Sequence, residues 1–276
     1  MLRDAHPGRT VEHITLGHGV RAIDASAARR AFRARLGIPD TALVFGVLGT
    51  AAPEKRVAQI LRAFASARQW ASDARLLFAG HVDPLLPLTE MLDAFGIRDV
   101  THVAGRLDDP QFDEAVVACD VGLNLRWPTA REVSGPWLRM LSAGLPTVIV
   151  DAAHHADVLT LDPRTWLCHA PVPLEPHPEA RAVAVGLDIL DEDHSLRLAL
   201  RRLGSDAGLR LRLGAAARAY WESNHTIAAM AADYERVIAL ALKLPPPDAA
   251  LPAHLRPDPL GHTRMVIGDL LTTSPI

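Results

Sequence analysis

Between residues 43 and 150 the chain alternates short apolar runs with stretches in which apolar residues recur at helical spacing. The runs at 43–48, 75–79, 100–104, 121–125 and 147–150 predict strands, because each is short, nearly continuous in Val, Leu, Ile, Phe or Ala, and closed by polar or small residues. The spacing between them predicts helices over about 56–70, 84–95, 110–118 and 134–143. Successive parallel strands need a crossover, and a helix in every gap supplies it, so the expected fold is doubly wound α/β with a parallel sheet of about five or six strands.

The flanks read differently. A strand candidate at 10–16 leads through Gly17, His18, Gly19 and Val20 to a helix over about 26–36, which Gly37 and Pro39 end. The arginines at 29–35 are expected on the solvated face of that helix. After Val150 the strand signal fades through a Pro- and His-containing connector at 171–178, and helices are expected at about 179–203, 206–223 and 226–242. Residues 244–276 carry prolines at 245–247, 252, 257, 259 and 275, which predicts a loosely packed tail whose apolar patch at 265–271 could dock. The expected divisions are an entry linker at 1–40, the α/β domain with its C-terminal helices at 41–243, and the tail at 244–276.

Composition narrows the function. The 276 residues are 49% hydrophobic and 22% charged, enough apolar surface for a core and too much for a disordered chain. Lys and Arg total 29 against 32 Asp and Glu, a formal net charge of -3, so no basic field favours a nucleic acid as partner. Any anion must be gripped locally. Cys119 and Cys168 cannot build a disulfide framework and suit buried free thiols in a reducing compartment, which makes the cytoplasm the expected location. Residues 1–10 lack the apolar segment of a secretory signal, and no apolar run approaches the roughly 20 residues of a transmembrane helix.

In an open parallel sheet ligands bind beyond the carboxyl ends of the strands. After the first strand stand Gly49, Thr50 and the run to Lys55 and Arg56, leading into a helix whose free amides and positive end, with two cations, suit a phosphate; a plain βα turn with solvated cations explains the same residues. The glycine spacing of dinucleotide and Walker loops is absent. After the second and third strands, Gly80-His81 and Gly105-Arg106-Leu107 allow close approach of a ligand, whose base edge a backbone amide or carbonyl could read, or merely end strands. After the fourth, residues 126–136 place Glu132, Val133, Ser134 and Gly135 before another helix, so two helix starts converge on one crevice and suit a diphosphate. His13, His18 and the His154-His155 pair have no metal-ligand spacing, so no metal site and no cofactor are expected. Ser134 lacks a nucleophile elbow.

Taken together, residues 41–238 resemble the C-terminal, nucleotide-sugar-binding domain of family-4 retaining glycosyltransferases, enzymes of GT-B architecture with two facing Rossmann-like domains. The likeness is carried by GTAAPEKR, LLFAGH, VTHVAGRLDD, ACDVGLNLRWPTAREVSG, RMLSAGLPTVIVD and LRLRLGAAARAYWESNHT followed by Tyr234, in that order. ITLGHGV at 14–20 is similar to the family's interdomain linker. The resemblance implies one Rossmann-like half of a GT-B enzyme, binding a nucleoside-diphosphate sugar for metal-independent hexosyl transfer with retention.

Position by position, the resemblance makes Lys55 the diphosphate-binding lysine and Gly49 the first glycine of its loop. Thr50 stands where the family has an arginine and Arg56 where it has a glycine, so Arg56 could return the guanidinium from another place. Backbone around Arg106 and Leu107, beside His81, would meet the nucleobase. Glu132, with Val133, Ser134 and Gly135, matches the first glutamate of the family's pair in a loop one residue shorter, and would orient sugar hydroxyls. The second glutamate, which in the family holds the ribose hydroxyls, falls on Arg139. A complete enzyme of this kind also has an N-terminal acceptor domain, so the expected partners are such a domain on another chain, or self-association. The competing readings are a stand-alone nucleotide-sugar-binding module without catalysis and a GT-B-like sugar-nucleotide epimerase; a dinucleotide oxidoreductase is disfavoured by the missing fingerprint glycines.

Overall fold

A computed structural model of the chain describes residues 10–69, 71–129, 133–152, 155, 158–169, 181–244 and 260–272. Met1–Tyr234 and Glu235–Ile276 are two compact units, and the sheet lies in the first. Its strands are β1 (Val44–Leu48), β2 (Arg75–Ala79), β3 (Thr101–Gly105), β4 (Val121–Asn124), β5 (Thr147–Val150), β6 (Thr160–Leu161), β7 (Cys168–His169) and β8 (Ala184–Leu187). They stand in the order β3-β2-β1-β4-β5-β8-β6-β7. Every pairing is parallel except β6 with β7. The chain direction of strand addition reverses between β1 and β4, and the crevice outside their carboxyl ends is where such a sheet receives a ligand.

The helices are α1 (Ala25–Arg35), α2 (Val57–Ala67), α3 (Leu88–Ala94), α4 (Asp109–Ala118), α5 (Gly135–Ser142), α6 (Glu192–Ser205), α7 (Ala207–Asn224), α8 (Ile227–Ala241) and α9 (Gly261–Thr272). Alternate residues of each strand enter opposite layers, as the pleat requires. Phe45, Val47, Leu76 and Phe78 pack under Ile60, Leu61 and Phe64 of α2 and Leu196, Leu200 and Leu203 of α6. Phe45 and Phe64 meet edge-to-face at 6.1 Å. On the other side Val44, Leu48 and Leu77 meet Phe32 of α1 and Ala115 and Val116 of α4. Trp137, Leu138 and Leu141 of α5 pack there with Ala217 and Trp221 of α7 against Ile149 and Ala184. Strands β1, β4, β5 and β8 are buried at every position, which is why they read as unbroken apolar runs.

Three expectations are corrected. Residues 10–16 form no strand. The strand signal does not end at Val150: β6, β7 and β8 follow, and the helix expected from 179 begins only at Glu192. The sequence AVAVGLDIL is rich in helix-tolerant alanine and leucine, yet its neighbour β5 offers a ladder of paired backbone groups, and tertiary context overrides the weak local preference. Third, the arginines of α1 are not all solvated, because Arg33 is fully buried. Its guanidinium donates to Ala118 O (2.9 Å), Pro39 O (3.3 Å), Asp40 O (2.9 Å), Ala42 O (2.8 Å) and Asp120 Oδ2 (2.8 Å). Asp120 also accepts from Arg29 (2.7 Å) and from the Val44 amide (2.8 Å). This network ties α1 to the amino edge of β1 and β4. Cys119 beside it is buried, and burial pushes its thiol up to about 12; Cys168 is half-buried, and neither is in a disulfide.

The entry segment is held without regular structure. His225 at the end of α7 donates from Nδ1 to Leu16 O (2.9 Å), and its own carbonyl accepts from the His18 amide (2.8 Å). A Cβ at Gly17 would stand 2.7 Å from Thr226 O, so only glycine lets the segment lie this close. No helix among the described residues is long and apolar enough to cross a membrane. No residue of α8 is buried; Ile227 is 48% exposed and Tyr234 51%. In the second unit, α9 leaves Met265 and Ile267 exposed, within the apolar patch read in the tail.

Candidate active site

The parallel register brings Gly49, Gly80, Gly105 and Arg126 to one edge: Gly105 ends β3, and the others lie just past the carboxyl ends of β1, β2 and β4. Pairing continues beyond the strands: Gly49 N donates to Ala79 O (2.9 Å), Gly80 N to Gly105 O (2.9 Å) and Ala51 N to His81 O (2.7 Å). Gly80 has φ +150°, and a Cβ there would lie 2.0 Å from Gly49 O, so two strand ends pass at backbone contact. Gly49 has φ +97°, and its absent Cβ would stand 2.9 Å from Pro136 Cγ in the first turn of α5. The loop after β1 is thus seated on the helix start after β4. The Trp127 amide donates to Glu54 O (2.8 Å) and joins the loop after β1 to the loop after β4 a second time.

Within this frame Thr50 is exposed and Lys55 half-buried. Pro53–Lys55 form a short 3-10 turn, and Arg56 follows with φ 58°, the left-handed cap of α2. The Arg56 guanidinium is engaged by Glu192 at the start of α6: Nε lies 2.8 and 3.0 Å from the two carboxylate oxygens, and Nη2 donates to Oε2 as well. These hydrogen bonds raise the basicity of Arg56 despite partial burial. Glu192 is 6% exposed.

The second helix start is more closed than its sequence suggests. Ser134 is the N-cap of α5; its hydroxyl donates to Asn124 Oδ1 (3.0 Å) and accepts from Trp137 N (3.3 Å). Pro136 has no amide N–H. Of the first three positions of α5, Gly135 is therefore the one placed to offer its N–H, and a Cβ there would meet nothing within 4 Å. Val133 is exposed and Glu132 lies outside the described residues. Trp137 is fixed by Thr147 Oγ1 (3.1 Å) and by the ring of His155 (5.0 Å).

Arg139 points along α5 toward α4. It pairs with Asp109 and Asp113 and stacks over Phe112 (5.0 Å), and its hydrogen bond holds the Asp109 carboxyl below the usual range. His18 of the entry segment stands near this group; burial, and then Arg139, lower its basicity. His81 and Arg106 are exposed at the carboxyl edge, whereas Leu107 is half-buried against the α1–α4 layer.

Three participants escaped the sequence reading. Asn124 had a legible signal, a buried amide closing an otherwise apolar strand. The Glu54 carbonyl that meets Trp127 had none, because a backbone contact leaves no residue-type trace. Glu192, 136 positions from Arg56, had none either.

A doubly wound sheet with its switch point at β1 and β4, flanked by the helix starts of α2 and α5, has the fold of one half of the GT-B architecture. The chain belongs to the group 1 glycosyltransferases: the family model matches residues 28–171, more than half of its length. Among curated proteins none matches the sequence closely enough to count. Among solved structures, sucrose-phosphate synthase from Thermosynechococcus elongatus superposes with a TM-score of 0.59 at 15% identity, over 77% of this chain and 49% of that one. Anabaena HepE in complex with UDP gives 0.60 at 14%, over 81% and 56%. The C-terminal domain of the group 1 glycosyltransferase LpcC from Francisella tularensis gives 0.54 at 12%, over 75% of this chain and 100% of that domain. The chain thus spans about half the length of the full glycosyltransferases it superposes on.

Proposed function

We propose that this chain binds a nucleoside-diphosphate sugar at the β1–β4 crevice and serves as the donor half of a retaining, metal-independent family-4 hexosyltransferase, with acceptor recognition on an N-terminal domain. The observation that carries the reading is the seating of the Gly49 loop on the α5 start, which brings both helix starts to one crevice. Anabaena HepE has been crystallised with UDP-glucose, which favours a donor of that class here. When the bond between the anomeric carbon and the diphosphate oxygen breaks, negative charge grows on the leaving diphosphate. Lys55, the first amides of α2 and the Gly135 amide would stabilise that charge more than the ground state, which is what lowers a barrier. The family resemblance assigns Lys55 to the diphosphate, while the Arg56 guanidinium is engaged by Glu192. Glu132 would orient sugar hydroxyls, and the backbone at Arg106 and Leu107, with His81, would line the base.

A second reading, a nucleotide-sugar binder without catalysis, is favoured by Arg139, which is committed to Asp109 and Asp113 and offers no carboxylate to a ribose. Calorimetry with UDP, ADP, GDP, CDP and their sugars tests the first step. At least one diphosphate should bind, and Lys55→Ala should weaken it by about 1.5 to 3 kcal/mol, the scale of a hydrogen bond to a charged group, with no effect on the nucleoside. Equal binding by Lys55→Ala and wild type would reduce the loop to a turn. Turnover when an N-terminal GT-B domain is added separates the enzyme from the binder.

A further inference from the structure

Position 56 carries a conformation that side chains resist. With φ 58° and ψ 34° it lies in the left-handed region, where a Cβ crowds the carbonyl and glycine is the default residue. Arg56 and Trp166 are the non-glycine residues of positive φ among those described. The Arg56 conformation cannot be credited to a side-chain cap, since α2 has none. What engages the residue is Glu192, through a two-toothed carboxylate–guanidinium contact, the geometry that most restricts an arginine, and the Gln59 amide, which donates to Arg56 O (3.3 Å) and accepts from Arg56 Nη2 (2.9 Å) within the same helix. Glu192 is itself held: it opens α6, whose positive end favours a carboxylate, and it is nearly buried. Next to this contact Arg62 of α2 pairs with Asp193 (2.6 Å), so α2 and α6 are laced together twice at one end.

The position matters because residue 56 separates Lys55 from the first amides of α2. A change of its backbone from left-handed to right-handed would turn Lys55 and those amides away from each other. We infer that Glu192 is a positioning residue of the diphosphate site: through Arg56 it sets the left-handed backbone that aims Lys55 and the α2 start into one crevice. Arg56 then acts by its backbone, and its guanidinium faces α6 instead of the ligand. The inference rests on the donor-site reading above.

The test compares two substitutions that both delete the guanidinium and differ only in tolerance of the left-handed region. In the full chain carrying Glu192→Gln, which avoids a buried unpaired carboxylate, Arg56→Gly and Arg56→Ala are titrated with whichever of UDP, ADP, GDP and CDP binds wild type. Arg56→Gly should bind within about twofold of wild type and Arg56→Ala about tenfold more weakly, a factor that corresponds to about 1.4 kcal/mol. Glu192→Gln alone should resemble the alanine variant and be rescued by Arg56→Gly. Circular dichroism of every variant, and titration well below its melting temperature, keep folding losses apart from binding losses. Equal weakening in the glycine and alanine variants would mean that Arg56 touches the diphosphate and would overturn the inference. So would a lower melting temperature with unchanged binding in all of them, which is what a purely structural ion pair predicts. If wild type binds none of the four diphosphates, the donor-site reading itself fails and takes this inference with it.

Discussion

The two edges of the sheet are built by opposite means. At the amino edge one carboxylate, Asp120, takes two arginines and a backbone amide, and the buried Arg33 serves four carbonyls besides. Charged side chains there pair with one another and with the carbonyls and amide that flank the strand starts. At the carboxyl edge strand ends approach backbone to backbone at Gly49 and Gly80, and ion pairs such as Arg56 with Glu192 and Arg139 with Asp109 stand at the helix starts. One edge is therefore held by ion-paired side chains that bond to backbone, the other by close approach of backbone to backbone.

If that contrast is right, the largest stability loss comes from the edge remote from the ligand. Arg33→Ala should cost about 3 to 5 kcal/mol, since it opens a cavity, takes one of three donors from a half-buried carboxylate and leaves several carbonyls unpaired, and urea unfolding measures it. Diphosphate affinity of the folded fraction should be unchanged; a loss of affinity would break the division of labour. Gly80→Ala should cost roughly 1 to 3 kcal/mol, because the new Cβ would press on a carbonyl that can move only with its strand. Unlike Arg33→Ala it should also weaken nucleoside diphosphate binding, and calorimetry that found wild-type affinity would show that the close approach serves folding alone. Glu132→Gln is expected to leave folding and nucleoside diphosphate binding intact and to reduce only the increment in affinity that the sugar adds, about 1 kcal/mol for hydrogen bonds to hydroxyls.

The smallest effect is on pH. Burial holds His225 and His102 below the ordinary 6.5, and burial with Arg139 does the same to His18. On acidification the unfolded chain therefore takes up protons first, so the stability these residues contribute is complete above pH 6.5 and is lost as pH falls through it toward their lowered native values. For His225 the cause is visible: Nδ1 serves Leu16 O, while Nε2 is buried with no partner among the described residues, and a second proton would have no acceptor. His225→Gln should shallow the fall of the urea midpoint between pH 7 and 5. An unchanged slope would move the effect to the other two histidines.

The central part of the fold was legible because its strands are buried on both faces and announce themselves as apolar runs. Strands β1 to β5 lie within two residues of their predicted bounds. The region after Val150 was not, for a physical reason: β6 and β7 have two residues each, too few for any period, and β8 is a four-residue run of alanine, valine, glycine and leucine preceding a helix. Arg33 was misread because spacing on α1 records the face but not depth, and a guanidinium among carbonyls buries as readily as a phenylalanine beside it.

From its residues alone this chain declares a doubly wound sheet, the edge at which a ligand must bind, and the loops with glycine, lysine and a helix start that could hold a diphosphate. Those follow from hydrophobic period and from the chemistry of single short segments, which act over a few residues. Which cation is held by a carboxylate and which hydroxyl is spent on a cap were decided only in three dimensions. Arg56 and Glu192 are 136 positions apart, and Ser134 finds Asn124 across a loop; such pairings depend on the register of the sheet, which no local pattern carries.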